Sequence, residues 1–231
     1  MLGIIGAMDE EVAKIKEQMT EVKITRLAGM EFCQGVLSNA SVVVVRSGIG
    51  KVNAAICTQI LVDVFGIEAV INTGIAGSLR AEIDIGDIVL STDVLHHDMD
   101  STGFGYPLGQ IPRMDTLSFA ADEMLLKEVQ KICERVNPEV QVHLGRIVSG
   151  DQFISEKSVK DKIVSWSQGY CTEMEGAAIA QTAYLNKIPF LIVRAISDKA
   201  DDSATMDYAE FEAKAIEHTV KLIIETARLY S

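Results

Sequence analysis

The chain has 231 residues, of which 48% are hydrophobic and 23% are charged, and its formal net charge is −12. This length buries a substantial core, in one large domain or in two small ones. The acidic balance argues against a nucleic-acid partner, because the neutralisation of phosphates requires clustered lysine and arginine.

Two features of the sequence indicate the compartment. The stretch MLGIIGAMDEE has no basic region and reaches acidic residues by Asp9, unlike a signal peptide, and no apolar run approaches the roughly 20 residues of a membrane span. The cysteines are scattered without a C-x-x-C pair, at Cys33, Cys57, Cys133 and Cys171. This spacing predicts buried thiols in a reducing compartment rather than disulfides or a metal site. We therefore expect a cytoplasmic protein that makes no membrane contact.

Along the chain, short runs rich in valine and isoleucine alternate with helical patterns. In chain order, the predicted elements are a strand at Leu2–Gly6, a helix at Asp9–Met19, strands at Phe32–Leu37 and Val42–Arg46, a helix at Lys51–Phe65, strands at Ala69–Asn72 and Asp87–Leu95, a helix at Ser118–Val136, strands at Val142–Ser149 and Phe190–Ile196, and a last helix that carries Ile216, Val220, Ile223 and Ala227 on one stripe. The second and third strands are close enough to form a hairpin, and several others are unbroken apolar runs, as in a sheet covered on both faces. No linker or repeat divides the chain. The pattern predicts an α/β protein, a three-layer α/β/α sandwich with a mixed central β-sheet, in a single domain of residues 1–231.

The segments that follow the predicted strands combine small residues with acids. They read AMDEE, SGIGK, TGIAG, GDQF and SDKAD in chain order. Ligands of α/β proteins bind at the carboxyl ends of the strands, and small residues let the backbone approach a ligand closely. These five segments form the predicted binding region.

Three motifs in this region are excluded on their spacing. SGIGK is not a phosphate-binding loop, since Val45 and Val52 occupy the positions where the Walker pattern requires glycine and Ser/Thr, and GIIGAM lacks the G-x-G-x-x-G spacing. In the HHDMD segment, His96 and His97 point to opposite faces if the chain is extended. We therefore expect no metal site there, and place the segment in an active-site loop or at the surface.

Three carboxylates stand where the ends of predicted elements converge. Counting back four residues from Ile15 places Glu11 at the edge of a buried helix stripe, where it also complements the helix dipole. Asp198 directly follows the buried run PFLIVRAIS and suits a turn or an N-cap. Thr172 and Glu175 match a capping box at the start of an alanine-rich helix. Each acid alone has a structural explanation, but three together indicate a functional site.

Apolar residues surround these acids in the sequence. The nearby loops supply Met8, Ile49, Phe153 and Ile154, which are able to hold a flat ring. A few polar groups within apolar walls are typical of a small-molecule site.

Seven blocks of the chain, in order, carry a resemblance to a known family. The blocks are GIIGAMDEEV, SGIGKVNAA, NTGIAGS, HHDMDSTGFGY, VSGDQFI, TEMEGAAIA and VRAISD. They resemble the bacterial 5′-methylthioadenosine/S-adenosylhomocysteine nucleosidases over almost the whole chain, from Leu2 to Phe211. The resemblance implies the nucleoside phosphorylase/hydrolase-like fold, a homodimer, and hydrolysis of the bond between adenine and ribose without a cofactor or a metal.

The resemblance also implies the roles of individual residues. Asp198 would be the general acid that protonates adenine N7, and Glu11 the general base that activates water. Glu175 would accept hydrogen bonds from the ribose hydroxyls, which can strengthen as charge develops at C1′. Arg194 would help to position the water or Glu11.

The remaining implied contacts are with the base, the sugar and the 5′ substituent. Phe153 would stack on adenine while its backbone and that of Ile154 read the edge of the base, and Met174 would pack under the ribose. The implied lining of the 5′ pocket is Met8, Ile49 and Tyr208, with Phe104 and Pro112 supplied by the partner subunit in loop 96–112. Further implied substrate-binding positions are Ala76, Gly77 and Glu173. Better-known members often have serine where this chain has Ile75.

Two alternative functions stay open at this point. A nucleoside phosphorylase would need a cationic cradle for phosphate, whereas the first loop of this chain reads MDEE. A non-catalytic nucleoside-binding protein would have no use for both Glu11 and Asp198. The sequence also leaves open whether the 5′ substituent is methylthio, homocysteinyl, deoxy or of the futalosine type.

Overall fold

A computed structural model describes residues 1–201 and 203–231 of the chain. The strands are β1 (Leu2–Gly6), β2 (Thr20–Leu27), β3 (Met30–Leu37), β4 (Ala40–Arg46), β5 (Ala69–Ser78), β6 (Ile88–His96), β7 (Phe119–Ala120), β8 (Val142–Ser149), β9 (Cys171–Glu173) and β10 (Phe190–Asp198). The helices are α1 (Asp9–Lys16), α2 (Lys51–Phe65), α3 (Glu123–Val136), α4 (Lys157–Ser167), α5 (Gly176–Asn186) and α6 (Ala204–Ala227).

The strands form one connected mixed sheet. Its order is β10-β6-β8-β9-β5-β1-β4-β3-β2, with β7 paired to β6. Because β10 also pairs with β5, five of the strands close into a ring. Helices α1 and α3 each contact α6, and α2 and α5 contact each other. The α/β architecture with a mixed central sheet is confirmed, and the ring closure is a feature that the sequence pattern did not predict.

The parallel strands β4, β1, β5 and β10 build the centre of the sheet. Every residue of β1, β5 and β10 is buried, as expected for strands that are covered on both faces. Their carboxyl ends lie at the same edge of the sheet. The segments AMDEE, SGIGK and SDKAD begin at that edge, so the fold brings together the loops that the sequence predicted as a binding region.

Several predicted boundaries were wrong. The helix predicted at Ser118–Val136 begins at Glu123, because Phe119 and Ala120 pair with β6 and Asp122 caps the helix by accepting a hydrogen bond from the Leu125 N–H (2.8 Å). The strand predicted to end at Asn72 continues to residue 78, so TGIAG is strand rather than loop. The first helix ends at residue 16 instead of 19. Strand β2 and helix α4 were not predicted, since their apolar patterns are weak: β2 is mostly exposed at the edge of the sheet.

Among the described residues, no helix combines the length and the apolar character that crossing a bilayer requires. The four cysteines are buried free thiols. Burial raises the pKa of Cys133 to about 11, so this thiol stays protonated and packs as a small apolar side chain.

Candidate active site

A pocket of about 490 Å³ opens at the carboxyl ends of β1, β5 and β10. The residues that line it are Ala7, Met8, Glu11, Ile49, Ile75, Ala76, Gly77, Gln152, Phe153, Ile154, Thr172, Glu173, Met174, Glu175, Ser197, Asp198, Thr205 and Tyr208. Among these described lining residues there is no lysine or arginine. The pocket thus brings four carboxylates together within a mostly apolar wall.

Glu11 is buried beneath the first loop. Its Oε2 accepts hydrogen bonds from the N–H groups of Ala7 (2.6 Å) and Met8 (3.0 Å), and its Oε1 accepts one from Ile75 (3.3 Å). Burial raises the pKa of Glu11, although the positive charge of Arg194 and these N–H groups act in the opposite direction. A carboxylate held in this way is rigid and is easily protonated, which suits a general base. The contact from Ile75 to Glu11 is made by the backbone N–H, so this contact does not require a serine side chain at position 75.

Glu173, which lines the pocket, forms a buried ion pair with Arg194, which lies beneath it. The Arg194 guanidinium donates to Glu173 and to Asn72, and lies 3.8 Å from Glu175. Arg194 is not among the lining residues and only 1% of it is exposed, and its positive charge acts on Glu11 as well as on Glu173 and Glu175. It balances the charge of the carboxylates from beneath.

The capping box predicted from Thr172 and Glu175 is wrong. Thr172 lies in strand β9, and α5 begins only at Gly176. The Glu173 carboxylate accepts hydrogen bonds from the N–H groups of Gly176 (2.8 Å) and Glu175 (3.3 Å), so Glu173 caps the helix. The Glu175 carboxylate is thereby left at the pocket, where it accepts a hydrogen bond from the Gly50 N–H (2.9 Å).

Burial and the charge of Glu173 raise the pKa of Glu175 to about 7. Between the usual value of 4.5 and about 7, the native state keeps a proton that the unfolded state releases, so wild-type stability falls as pH rises through this window. Glu175→Gln has no such loss. We expect it to raise the free energy of unfolding by about 1–3 kcal/mol at pH 8 and to leave it unchanged at pH 4, as measured by urea unfolding.

The matched control for this prediction is Glu10→Gln, which removes an exposed carboxylate and is expected to change stability little at either pH. A gain for Glu175→Gln that is equal at pH 4 and pH 8 would contradict the explanation from burial.

Asp198 lies at the end of β10, on the other side of the pocket. Its carboxylate accepts hydrogen bonds from the Ala200 N–H (2.8 Å) and the Ser197 hydroxyl (2.9 Å). Burial raises the pKa of Asp198, and the negative charges of Asp207 and Asp201 add to the increase. The strand next to it carries Gly77, at which a Cβ atom would lie only 2.7 Å from Asp198 Oδ1. The site therefore holds a carboxyl group that is protonated more readily than an exposed aspartate.

Aromatic and sulfur-containing side chains form the outer wall. The rings of Phe153 and Tyr208 meet edge to face, with centroids 6.0 Å apart. The Tyr208 hydroxyl lies 3.0 Å from Glu212 Oε1 and 3.3 Å from Met8 Sδ. Phe153 is 51% exposed, so its face is free to stack on a planar ligand.

All but three of the predicted site residues line this pocket. The exceptions are Arg194, which lies beneath it, and Phe104 and Pro112, which lie outside the pocket of their own chain. Ala7, Gln152, Thr172, Ser197 and Thr205 also line the pocket, although the sequence did not predict them as site residues. Each lies within three residues of a predicted site residue, but its residue type alone does not distinguish it.

The two histidines of the HHDMD segment lie inside the protein. The His96 ring Nε2 lies 3.0 Å from Gln181 Oε1, and both His96 and His97 are buried rather than at the surface. Burial lowers the pKa of both imidazoles. Among the described residues, no three His, Cys, Asp or Glu side chains are arranged to hold a metal ion.

The sequence of the chain is similar to those of known proteins over almost its whole length. Residues 1–228 match the family model of the phosphorylase superfamily. The chain is 43% identical to a 5′-methylthioadenosine/S-adenosylhomocysteine nucleosidase of Staphylococcus carnosus, covering 97% of this chain and 98% of that protein.

Solved structures of the same class superpose closely on the chain. The nucleosidase of Neisseria meningitidis in complex with methylthio-immucillin-A has a TM-score of 0.95 and 36% identity, covering 99% of this chain and 98% of the other. The nucleosidase of Colwellia psychrerythraea in complex with adenine has a TM-score of 0.95 and 38% identity, covering 99% and 95%.

Proposed function

The chain belongs to the phosphorylase superfamily, and from this membership we propose that it is a nucleosidase that hydrolyses the N-glycosidic bond of 5′-methylthioadenosine and S-adenosylhomocysteine. The products are adenine and the 5′-substituted ribose. The proposal includes 5′-deoxyadenosine as a further substrate. The observation that carries it is the convergence of Glu11, Glu175 and Asp198 in one apolar pocket.

Asp198 supplies the general acid. Its raised pKa makes its protonated form, which can donate to adenine N7, more accessible than that of an exposed aspartate. Once N7 is protonated, the bond between C1′ and the base breaks with its electron pair going to adenine, and the base leaves neutral. Phe153 stacks on the ring, while the backbone of Phe153 and Ile154 reads its edge. Ala76 and Gly77, which have small or no side chains, let the base lie against β5.

Glu175 and Glu11 act on the sugar side. Glu175 accepts hydrogen bonds from the ribose hydroxyls, and these bonds strengthen as positive charge develops at C1′. Met174 packs under the ribose. Glu11 accepts a proton from the attacking water, whose oxygen forms the new bond to C1′. Proton transfer of this kind typically contributes about 10²–10⁴-fold to the rate.

The charge of the pocket favours water over phosphate as the nucleophile. Phosphorolysis needs a cationic cradle, and the described lining of this pocket has no lysine or arginine. Arg194, which lies beneath the pocket, is already bound to Glu173. Glu11 on this side would repel a phosphate anion.

The experiment that tests the function is an assay of free adenine. The purified protein is incubated with 5′-methylthioadenosine in phosphate-free buffer, and again with added phosphate. We expect equal adenine release in both, with free methylthioribose as the other product. Release that depends on phosphate and yields ribose-1-phosphate would identify a phosphorylase, and no release from either proposed substrate would revive the binding-protein alternative.

We further propose a homodimer in which loop 96–112 completes the 5′ pocket of the neighbouring subunit. Phe104 is 86% exposed in a single chain, so its ring is available for contact with a neighbouring subunit. Phe104 and Pro112 of one subunit would close the 5′ pocket beside Met8, Ile49 and Tyr208 of the other.

Phe104→Ala is therefore expected to raise KM for 5′-methylthioadenosine about tenfold with little change in kcat. Met124→Ala is the matched control, because Met124 is 76% exposed and is not part of the site.

Subunit complementation gives the sharper test of this loop. In a mixed dimer of Phe104→Ala and Asp198→Asn chains, one site carries both changes and the other carries neither. We expect the mixture to regain a component with both the wild-type kcat and the wild-type KM, a combination that neither parent dimer shows. If only the KM of Phe104→Ala is found, the loop does not cross to the neighbour.

The domain and the compartment remain part of the proposal. We propose a single domain of residues 1–231, which is supported by the one connected sheet. We also propose a cytoplasmic location, which is supported by the four buried free thiols, as are usual in reducing compartments.

A further inference from the structure

Lys51, Asp98 and Asp151 form a closed ring of hydrogen bonds outside the pocket. The Lys51 ammonium donates to Asp98 Oδ1 (2.6 Å), the Asp151 N–H donates to Asp98 Oδ2 (3.0 Å), and the Lys51 N–H donates to Asp151 Oδ1 (2.9 Å). None of the three side chains lines the pocket. The residues come from positions far apart in the sequence, and the ring has no role in the mechanism described above.

Each member of the ring belongs to a segment that serves a substrate subsite. Lys51 follows Gly50, whose N–H donates to Glu175 at the ribose subsite. Asp151 begins the loop that carries Phe153 at the adenine subsite. Asp98 begins the outward part of loop 96–112. The ring therefore joins the ribose and adenine subsites of one chain to the loop that is proposed to reach the neighbouring site.

The residues of the ring are closely packed and partly shielded from water. Gly50 has a φ of 96°, and a Cβ atom there would lie 3.1 Å from Asp151 Oδ1, so the turn can pass the Asp151 carboxylate only as glycine. The Lys51 and Asp98 side chains are 21% and 20% exposed, so their charge-assisted bond is partly shielded from water. Burial acts to raise the pKa of Asp98, but the hydrogen bonds from Lys51 and Asp151 hold it below its usual value.

We propose that Asp98 is a positioning residue. Through Lys51 and Asp151 it fixes the position of the turn at Gly50, on the ribose side, relative to the loop that carries Phe153, on the adenine side. The inference rests on the proposed nucleosidase function. Asp98 touches neither the substrate nor the reacting atoms. Its loss should therefore weaken substrate binding, which depends on the relative placement of the two segments, more than it slows bond cleavage, which depends on Glu11 and Asp198.

The test is the kinetics of Asp98→Asn, Lys51→Met and the double variant with 5′-methylthioadenosine. An asparagine cannot accept on both sides of the ring, and a methionine cannot donate. Each single variant is expected to raise KM about tenfold while kcat stays within about threefold. The double variant should be no worse than either single variant, because both changes break the same ring.

The matched control is Asp93→Asn. Asp93 pairs with Arg146 at 2.6 Å, with side-chain exposures of 18% and 28%, in an ion pair of similar shielding that lies outside the pocket. This control should lose stability without a change in KM. If Asp98→Asn changes KM no more than Asp93→Asn does, or if the Asp98 and Lys51 effects simply add, the proposal is wrong. A failure of the nucleosidase function itself is distinct, because the wild-type protein would then release no adenine.

Discussion

Asp198→Asn is expected to lower kcat for 5′-methylthioadenosine by about 10²–10⁴-fold, the usual contribution of a general acid. Asparagine fills the same space, and its oxygen can still accept from the Ala200 N–H. Its amide N–H₂ can also donate a hydrogen bond to adenine N7, but it has no proton to transfer. The base must then leave as an anion.

A binding measurement on this variant distinguishes a catalytic role of Asp198 from a structural one. A non-hydrolysable analogue of the substrate should bind Asp198→Asn nearly as well as it binds the wild-type protein, measured by calorimetry. Asp87→Asn is the matched control: Asp87 is also buried and accepts hydrogen bonds, from the N–H groups of Asp84 and Gln141, but it lies outside the pocket. Equal losses of turnover and binding in Asp198→Asn would assign it a structural role.

The pH dependence of kcat/KM tests the assignment of Glu11 as the general base and Asp198 as the general acid. In the free enzyme Glu11 must be ionised and Asp198 protonated, so kcat/KM should rise with pH as Glu11 loses its proton and fall as Asp198 does. Burial raises the pKa of both groups, so both limbs should lie above the usual carboxyl range. In Asp198→Asn the falling limb should disappear. A wild-type profile that is flat from pH 4 to pH 9 would contradict both roles.

Glu11→Gln is the second large effect, with an expected loss in kcat of about 10²–10⁴-fold. The amide oxygen can still accept from Ala7 and Met8, but the amide nitrogen then faces the Ile75 N–H, which now finds a carboxylate oxygen at 3.3 Å. The water loses its proton acceptor, and strand β5 loses its hydrogen bond to the Glu11 side chain of α1. The measurement is adenine release under saturating substrate.

Glu10→Gln is the matched control for this prediction. Glu10 is the neighbouring acid on the same helix and is exposed, so its loss should leave kcat unchanged. In the variant Glu11→Gln, the pH profile should lose its rising limb and keep the falling limb that belongs to Asp198. Full activity in Glu11→Gln would show that water is activated by another group, and retention of the rising limb would assign that limb elsewhere.

The fold class and the site acids were predictable because their patterns are local. Unbroken apolar runs at β1 and β10 predict strands that are covered on both faces. An acid that directly follows such a run lies at the edge of the sheet where ligands bind. Ile15 on the buried stripe of α1 placed Glu11 one turn earlier on the inner face. These arguments need only the spacing of residues along one element.

The roles of Glu173, Glu175 and Arg194 could not be predicted in this way. In the sequence, Thr172 and Glu175 have the spacing of a capping box, but Thr172 is drawn into β9 by pairing with Gly77 and Val148. The helix then starts later, and Glu173 becomes its cap. The pairing of Thr172 with strands that are distant in the sequence therefore overrode the local capping motif, which is a tertiary effect.

The sequence by itself determined which strands are buried, which loops follow them and which acids those loops carry, because side-chain periodicity and turn chemistry act over a few residues. Only the tertiary structure decided that β10 closes the ring onto β5, that Arg194 balances the acids from beneath, and that Asp98 reaches Lys51 and Asp151. The Asp98 contacts join residues 47 and 53 positions apart, and the Arg194–Glu173 ion pair joins residues 21 positions apart. Their geometry depends on how whole elements pack, and no spacing within one element encodes it.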